Sequence, residues 1–399
     1  MPQYTKAKAL LESLKSVPDY RVDIGKIEYP LHEVLFMVIF ALLKGNTRFK
    51  DIWGWMLYNR NNPILMEIFQ TDEIKVPANS TLHEILTNTD NNALEKVFRE
   101  YFSPFACKEE IAVDGKWLKG SDASGQYVQS CHKAILNLLD KKSKIVFAHK
   151  FMHKDKENEI TALRQVLDEE DLFSDEGQIF SFDALQTQAE TLNRIDQKHG
   201  RYIAKVKGNQ KELQEKIIQT IETFEQPIDT YVQEEARLSC GKKYVKREVA
   251  LFYTPSAHQV MYHKRFKNIQ ALVRITKTLT DPKSKEASSY TEYYMANFKT
   301  TAGDFLEKIL AHWRVETYHY HLDMLFDEDG HIAYKEPFSI SILRSFALNL
   351  FQLFHNTNKN KKVLPTGKTT MAEIKRTCRH DDRFTANLFE QESSRLSNV

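Results

Sequence analysis

The spacing of apolar residues changes period near residue 105, and that change restricts the folds open to this chain more than any other feature. Before it, apolar side chains return every three or four positions. Leu31, Leu35, Phe36, Ile39, Leu42 and Leu43 form one helical stripe that Gly45 closes, and Phe49 to Met56 begins another. Asn79-Ser80-Thr81, after Pro77, supplies a helix start for His83 to Leu86. From Glu110 the pattern is that of strands. Ile111 to Asp114, Ala134 to Leu139 and Ile145 to His149 are short apolar runs separated by Gly/Ser-containing or lysine-rich turns, as in an antiparallel meander. A helical stretch from Asn158 through Leu163, Val166 and Leu167 follows, then a strand (Gln178 to Phe182), a helix (Thr187 to His199) and a strand (Tyr202 to Val206).

Three strands, a helix, a strand, a helix and a strand is the order of a ribonuclease-H-like α/β fold, a mixed sheet with helices on both faces. In that order the first and fourth strands are neighbours, which sets Asp114 beside Asp183. The expected organisation is a small all-helical N-terminal domain over residues 1–100, with a helix-turn-helix as a candidate for DNA binding, and a catalytic domain over 105–356. The catalytic domain is interrupted at about 211–300 by a largely antiparallel β insertion, read from Val245 to Tyr253, Ile269 to Thr276 and Tyr290 to Phe298 behind a polar helix, Lys211 to Glu222. A helix starting near Thr301 or Asp304 runs through Phe305, Leu306, Ile309, Leu310 and Trp313 and carries Glu316; another covers Ile340 to Phe354.

At 399 residues and 42% apolar content the chain can bury a substantial core. Its longest apolar run, Val34 to Leu43, is half the roughly 20 residues that a membrane-spanning helix needs, so it reads as a buried helix. The N-terminus lacks the features of a secretory signal, and Cys107, Cys131, Cys240 and Cys378 lack the close spacing of a zinc or redox motif; a cytosolic chain with reduced thiols is expected. The net charge of +2 is unevenly distributed, with eight Lys/Arg against three acids between Thr357 and Arg383. Residues 357–399 therefore read as a basic tail, either meeting phosphates or solvated.

Three acids stand out by context. Asp114 and Asp183 each end an apolar strand, and Glu316 lies in a helix just after His312-Trp313; they are 69 and then 133 residues apart. A lone Asp after a strand is ordinarily a turn residue. Three that converge make a site for hard divalent cations, which take carboxylate oxygens and promote phosphodiester chemistry in pairs about 3.5 to 4 Å apart. A glycosidase would also use paired carboxylates, but only Trp117 and Trp313 stand near these acids to serve as sugar platforms.

The strings Ile111-Ala-Val-Asp-Gly-Lys-Trp-Leu-Lys-Gly-Ser121, Asp155-Lys-Glu-Asn-Glu-Ile160, Phe182-Asp-Ala-Leu-Gln-Thr-Gln188, Lys207-Gly-Asn-Gln210 and His312-Trp-Arg-Val-Glu-Thr317 occur in that order. Together they resemble the DDE transposases of bacterial insertion sequences related to the H-repeat-associated proteins. The stretch from Pro18-Asp-Tyr-Arg21 to Gly45 is similar to the helical domain that precedes catalysis in the same family, so the resemblance covers roughly residues 10 to 355. The segment from Glu316 to Asp323 is one residue shorter than the family pattern, which leaves Asp323 without an inherited role.

The resemblance implies a transposase in which Asp114, Asp183 and Glu316 hold two Mg²⁺ or Mn²⁺ ions, water cleaves the element end, and the freed 3′-hydroxyl joins target DNA. It further implies double-stranded DNA as partner, a homodimer or larger synaptic complex, and a bacterial cytoplasmic, nucleoid-associated location with no membrane contact. A domesticated or inactive DNA-binding relative is the alternative. Lys116, Lys119, Lys207, Asn209 and Gln210 are candidate DNA contacts, the first two against a solvated strand edge and the others against a plain turn. His312, His319 and Asp323 read as packing or supporting hydrogen bonds in preference to a second metal site.

Overall fold

The computed structural model describes residues 3–21, 27–118, 133–153, 159–169, 177–224, 226–237, 243–254, 265–330 and 336–392. Lys119, Cys131, Cys240 and most of the 155–160 string lie outside them. The chain divides into two compact units, one made of 1–107, 115–157 and 315–399, the other of 108–114 and 158–314.

In the first unit the N-terminal segment is helical throughout its described elements: α1 (Thr5–Leu14), α2 (Leu31–Leu43), α3 (Phe49–Tyr58), α4 (Pro63–Phe69), α5 (Asn79–Asn88) and α6 (Asn91–Phe102). Val34 to Leu43 are all buried, and Gly45 takes the left-handed φ of +91° that ends α2. No described helix is long and apolar enough to cross a membrane.

The chain returns to this unit at its C-terminal end with helices over Arg314–Phe326, Phe338–Asn358, Met371–His380 and Asp382–Asn387. The 338–358 helix is buried along most of its length, and its Phe346 ring meets Phe98 and Phe102 of α6 at 5.0 and 5.1 Å. The expected basic tail is instead part of the core. Phe389 stacks on Phe36 at 5.1 Å, and Glu390 accepts hydrogen bonds from the backbone amides of Lys6 and Ala7 at 3.0 and 3.1 Å. Four of the basic residues that suggested a tail, Lys375, Arg376, Arg379 and Arg383, lie on the two short helices, whose segment buries Ile374, Cys378, Leu388 and Phe389; Lys359, Lys361, Lys362 and Lys368 precede them.

Nine described strands hydrogen-bond in the order β3-β2-β1-β4-β5-β9-β8-β7-β6, where β1 is Glu110–Trp117, β2 Lys133–Asp140, β3 Ile145–His153, β4 Ile179–Phe182, β5 Arg201–Val206, β6 Asp229–Arg237, β7 Lys243–Tyr253, β8 Ala271–Thr280 and β9 Ala287–Ala296. β2 and β3 form the expected antiparallel pair. In the second unit β1, β4 and β5 run parallel, with α7 (Glu159–Asp168) before β4 and α8 (Ala189–Gln197) between β4 and β5. This is the mixed α/β sheet that the element order predicts.

The insertion, after α9 (Lys211–Glu222), extends that sheet: β9 pairs antiparallel with β5 through Ile203↔Ala296 to Val206↔Tyr293, and β8, β7 and β6 follow. Four strands replace the three expected. The missed strand, β6, ends the sheet and spells Asp-Thr-Tyr-Val-Gln-Glu-Glu-Ala-Arg, with Tyr231 and Val232 exposed, so it carries no apolar signal. Val249, Leu251, Val273, Ile275 and Tyr294 form the core of this region with Phe305, Leu306 and Ile309 of α10 (Ala302–His312).

Candidate active site

The ladder between β1 and β4 runs in parallel register from Glu110↔Ile179 to Val113↔Phe182. The next residue on each side is an aspartate, so Asp114 and Asp183 stand at the same level, where neighbouring strands lie about 4.8 Å apart; Asp183 follows the end of β4, but β1 runs on to Trp117, so Asp114 sits within its strand and does not end it as expected. Ile111, Ala112 and Val113 of β1 and Phe180, Ser181 and Phe182 of β4 are buried in succession, so both faces of these strands are covered.

Asp183 is the better defined of the two. Burial raises its pKa, but the Ala184 amide, the Lys207 ammonium at 3.2 Å and the more distant Lys205 charge outweigh this and hold the carboxyl below its ordinary value. It is therefore ionised at neutral pH, and its side chain is 53% exposed. The turn after it is braced from the 207–210 motif: the Asn209 amide donates to the Ala184 carbonyl at 3.2 Å, Gln210 donates to the Thr187 carbonyl, and Thr187 donates to the Lys205 carbonyl at 2.7 Å. Lys207, Asn209 and Gln210 thus all grip the Asp183 turn, and Lys207 remains half-exposed.

Two further groups were not assigned roles by the sequence reading. Glu159, in the first turn of α7, has a carboxyl raised by burial and by the Asp183 charge nearby; its only signal was its place in the 155–160 string. Ser181, two residues before Asp183, shares a hydrogen bond of 3.1 Å with His312 Nδ1. His312 ends α10, and Lys308, one turn earlier, pairs with Glu110 Oε1 of β1 at 2.5 Å. α10 is thereby pinned to both aspartate-bearing strands.

The single helix expected from Thr301 to Glu316 is two. Thr301 caps α10, its Oγ1 accepting from the Asp304 amide at 3.2 Å, and the helix ends at His312; after Trp313 a new helix, α11 (Arg314–Phe326), begins. Glu316 is exposed in the first turn of α11 and belongs to the first compact unit, whereas Asp114 and Asp183 belong to the second. His312 consequently does not share a helix face with Glu316.

Lys116 corrects an expectation. It is 7% exposed, and its ammonium lies 2.7 Å from Asp323, 3.5 Å from Asp329 and 3.7 Å from Glu328. Burial alone would lower its pKa, but these carboxylates raise it. An amine enclosed in this way is neither a solvated strand edge nor presented to a phosphate. His319 Nε2 meets the Asn137 amide of β2 at 2.8 Å, the supporting hydrogen bond expected in place of a metal bond.

Among the described residues no group of three or more His, Cys, Asp or Glu is arranged to hold a metal ion. The donor chemistry fits a hard divalent cation: the Asp183 carboxylate is ionised, and Asp114 stands at the same level on the adjoining strand.

The chain matches known proteins along most of its length. Residues 11–102 match the DDE_Tnp_1-associated domain and residues 105–336 the transposase DDE domain. The transposase-like YncI protein of Escherichia coli O157:H7 is 25% identical over 86% of this chain and 87% of its own length. The H repeat-associated protein YhhI of Escherichia coli strain K12 is 24% identical over 81% of this chain and 84% of its own. A piggyBac transposase synaptic complex with hairpin DNA, solved by cryo-EM, aligns over 100% of this chain and 82% of that chain, with a TM-score of 0.45 and 9% identity. With its DDE domain matched over more than half its length, this chain belongs to the DDE transposases, in the group of the H repeat-associated proteins.

Proposed function

We propose that this transposase cuts the ends of its element and joins them to target DNA, with Asp114, Asp183 and Glu316 as the carboxylates that hold two divalent cations, Mg²⁺ or Mn²⁺. The observation that carries the reading is the parallel ladder ending at Val113↔Phe182, with an aspartate next on both strands. When bound, the cations acidify the attacking hydroxyl and stabilise the leaving oxygen. Asp114, Asp183 and Glu316 would be the carboxylates that hold them.

In the first step a water oxygen attacks the phosphorus at the element end. The P–O3′ bond breaks, and the departing 3′-oxygen takes a proton. In the second step that 3′-hydroxyl attacks a target phosphodiester, forming a new P–O3′ bond as the target's own P–O3′ bond breaks. No covalent enzyme intermediate is needed. Lys207 and the Asn209-Gln210 turn keep the Asp183 carboxylate ionised and aimed, and Lys207 is exposed enough to meet a DNA phosphate as well. Because two element ends are processed together, the working form is a homodimer or larger assembly on double-stranded DNA.

Asp183→Asn tests this on duplexes of the DNA that flanks the gene, taken from each side of it. Losing one ligand of a site worth several kcal/mol lowers cleavage about a thousandfold, while end binding is retained. Retained cleavage overturns the assignment. A wild-type chain that binds ends and never cleaves with Mg²⁺ or Mn²⁺ would be the DNA-binding relative instead.

A further inference from the structure

Lys116 stands two residues after Asp114 on β1, and alternate strand residues share a face. Its closest partner, Asp323, stands seven residues after Glu316 on α11, which is two helical turns less about 20°. Asp323 and Glu316 therefore share one helix face, and the 2.7 Å ion pair joins that face to the strand segment that begins at Asp114.

Two other contacts hold the same helix. Three residues after Glu316, His319 is hydrogen-bonded to Asn137 of β2 at 2.8 Å. At the far end the Lys375 ammonium donates to the Leu325 carbonyl. The carboxylates around Lys116 are themselves anchored, since Glu328 accepts a hydrogen bond from the Ser341 hydroxyl at 2.8 Å. A phosphate could reach the Lys116 ammonium only by approaching three carboxylates.

We propose that Lys116 is a positioning residue for the metal-holding acids: through Asp323 it sets the height and rotation of α11, and with them the placement of Glu316. This rests on the assignment of Asp114 and Glu316 made above. Replacing Lys116 by a neutral residue leaves Asp323, Glu328 and Asp329 facing one another with the cation between them removed, and their repulsion moves the helix.

The full-length chain is compared as wild type, Lys116→Met, Asp323→Asn, the single changes Lys116→Asp and Asp323→Lys, and the exchanged pair that combines those two. Mn²⁺ binding to the DNA-free protein is read by calorimetry, the Mg²⁺ dependence of cleavage on duplexes of the DNA that flanks the gene, and end affinity by fluorescence anisotropy. The expected result is that Asp323→Asn and Lys116→Met weaken Mn²⁺ binding about 10- to 100-fold and raise the Mg²⁺ needed for half-maximal cleavage, as loss of an outer-shell partner does, with end affinity within about twofold of wild type. The exchanged pair recovers metal binding relative to either of its single changes.

If Lys116→Met fails to fold, Asp323→Asn decides, because it leaves the lysine two carboxylates. Unchanged Mn²⁺ binding in Asp323→Asn, or a loss of end affinity with metal binding intact, overturns the proposal while leaving the triad standing. A wild-type chain that binds no Mn²⁺ overturns both.

Discussion

The ion pair at Asp183 contributes little to stability and much to local electrostatics. Lys207 and Asp183 are both about half-exposed, and an ion pair in such a setting contributes only about 0–1 kcal/mol to stability. Its consequence is local: it keeps a partly buried carboxyl ionised and directs it. His149 is the opposite case. Its ring is buried 4.4 Å from Phe98, with Nε2 meeting Ser345 Oγ at 3.3 Å, and burial lowers its pKa to about 3 from the usual 6.5. The unfolded chain therefore takes up the proton first as pH falls. The stability this histidine contributes is fully present above about pH 6.5 and is lost between there and about pH 3, at about 1.4 kcal/mol per pH unit. Urea midpoints should fall from pH 7 to pH 5 in the wild type, and the fall should be shallower in His149→Gln whatever its absolute stability. An equal slope in both would show that His149 is not buried in its neutral form.

Among the elements, α10 does the most to hold the aspartate strands. It is capped by Thr301, receives the Asp229 carboxylate on its Ala302 amide at 2.7 Å, and binds β1 through Lys308 and β4 through His312. Thr301→Ala should cost about 1 kcal/mol, as the loss of a helix cap does, seen as a lower urea midpoint with unchanged cleavage at saturating Mg²⁺. A large loss of cleavage in that variant would mean that the cap, not the side-chain ties, locates the helix. Periodicity alone merged α10 and α11, because apolar residues continue in phase as far as Trp313, three residues before Glu316. What separates them is visible only in three dimensions, where His312 is spent on Ser181 and the Trp313 ring lies over the Lys205 ammonium at 5.6 Å.

At the scale of the whole chain, the boundaries drawn along the sequence are not those of the compact units. The N-terminal helices share a unit with β2, β3 and everything after Val315, and the C-terminal segment closes it by stacking Phe389 on Phe36 and Phe40. Phe389→Ala should cost about 3–5 kcal/mol, the range for emptying a buried aromatic site, and should lower the thermal and urea midpoints of the protein without changing the metal dependence of residual cleavage. A neutral outcome would return residues 357–399 to the status of a tail. The β insertion is likewise no separate body, since β9 continues the hydrogen bonding of β5 and the sheet grows outward from there.

The element types along most of the chain and the neighbouring β1 and β4 were legible in the sequence, because period follows from which side chains must avoid water, a local property of the chain. Its limits were equally physical. β6 escaped notice because an edge strand needs little apolar surface, and the C-terminal helices because their charge masked one buried stripe. The partners of long polar side chains depend on contacts distant along the chain: only the tertiary structure shows Lys116 enclosed by Asp323, Glu328 and Asp329, and the 207–210 motif turned onto Asp183. Composition and spacing identify a cation; its task is decided by which carboxylates the fold brings to it.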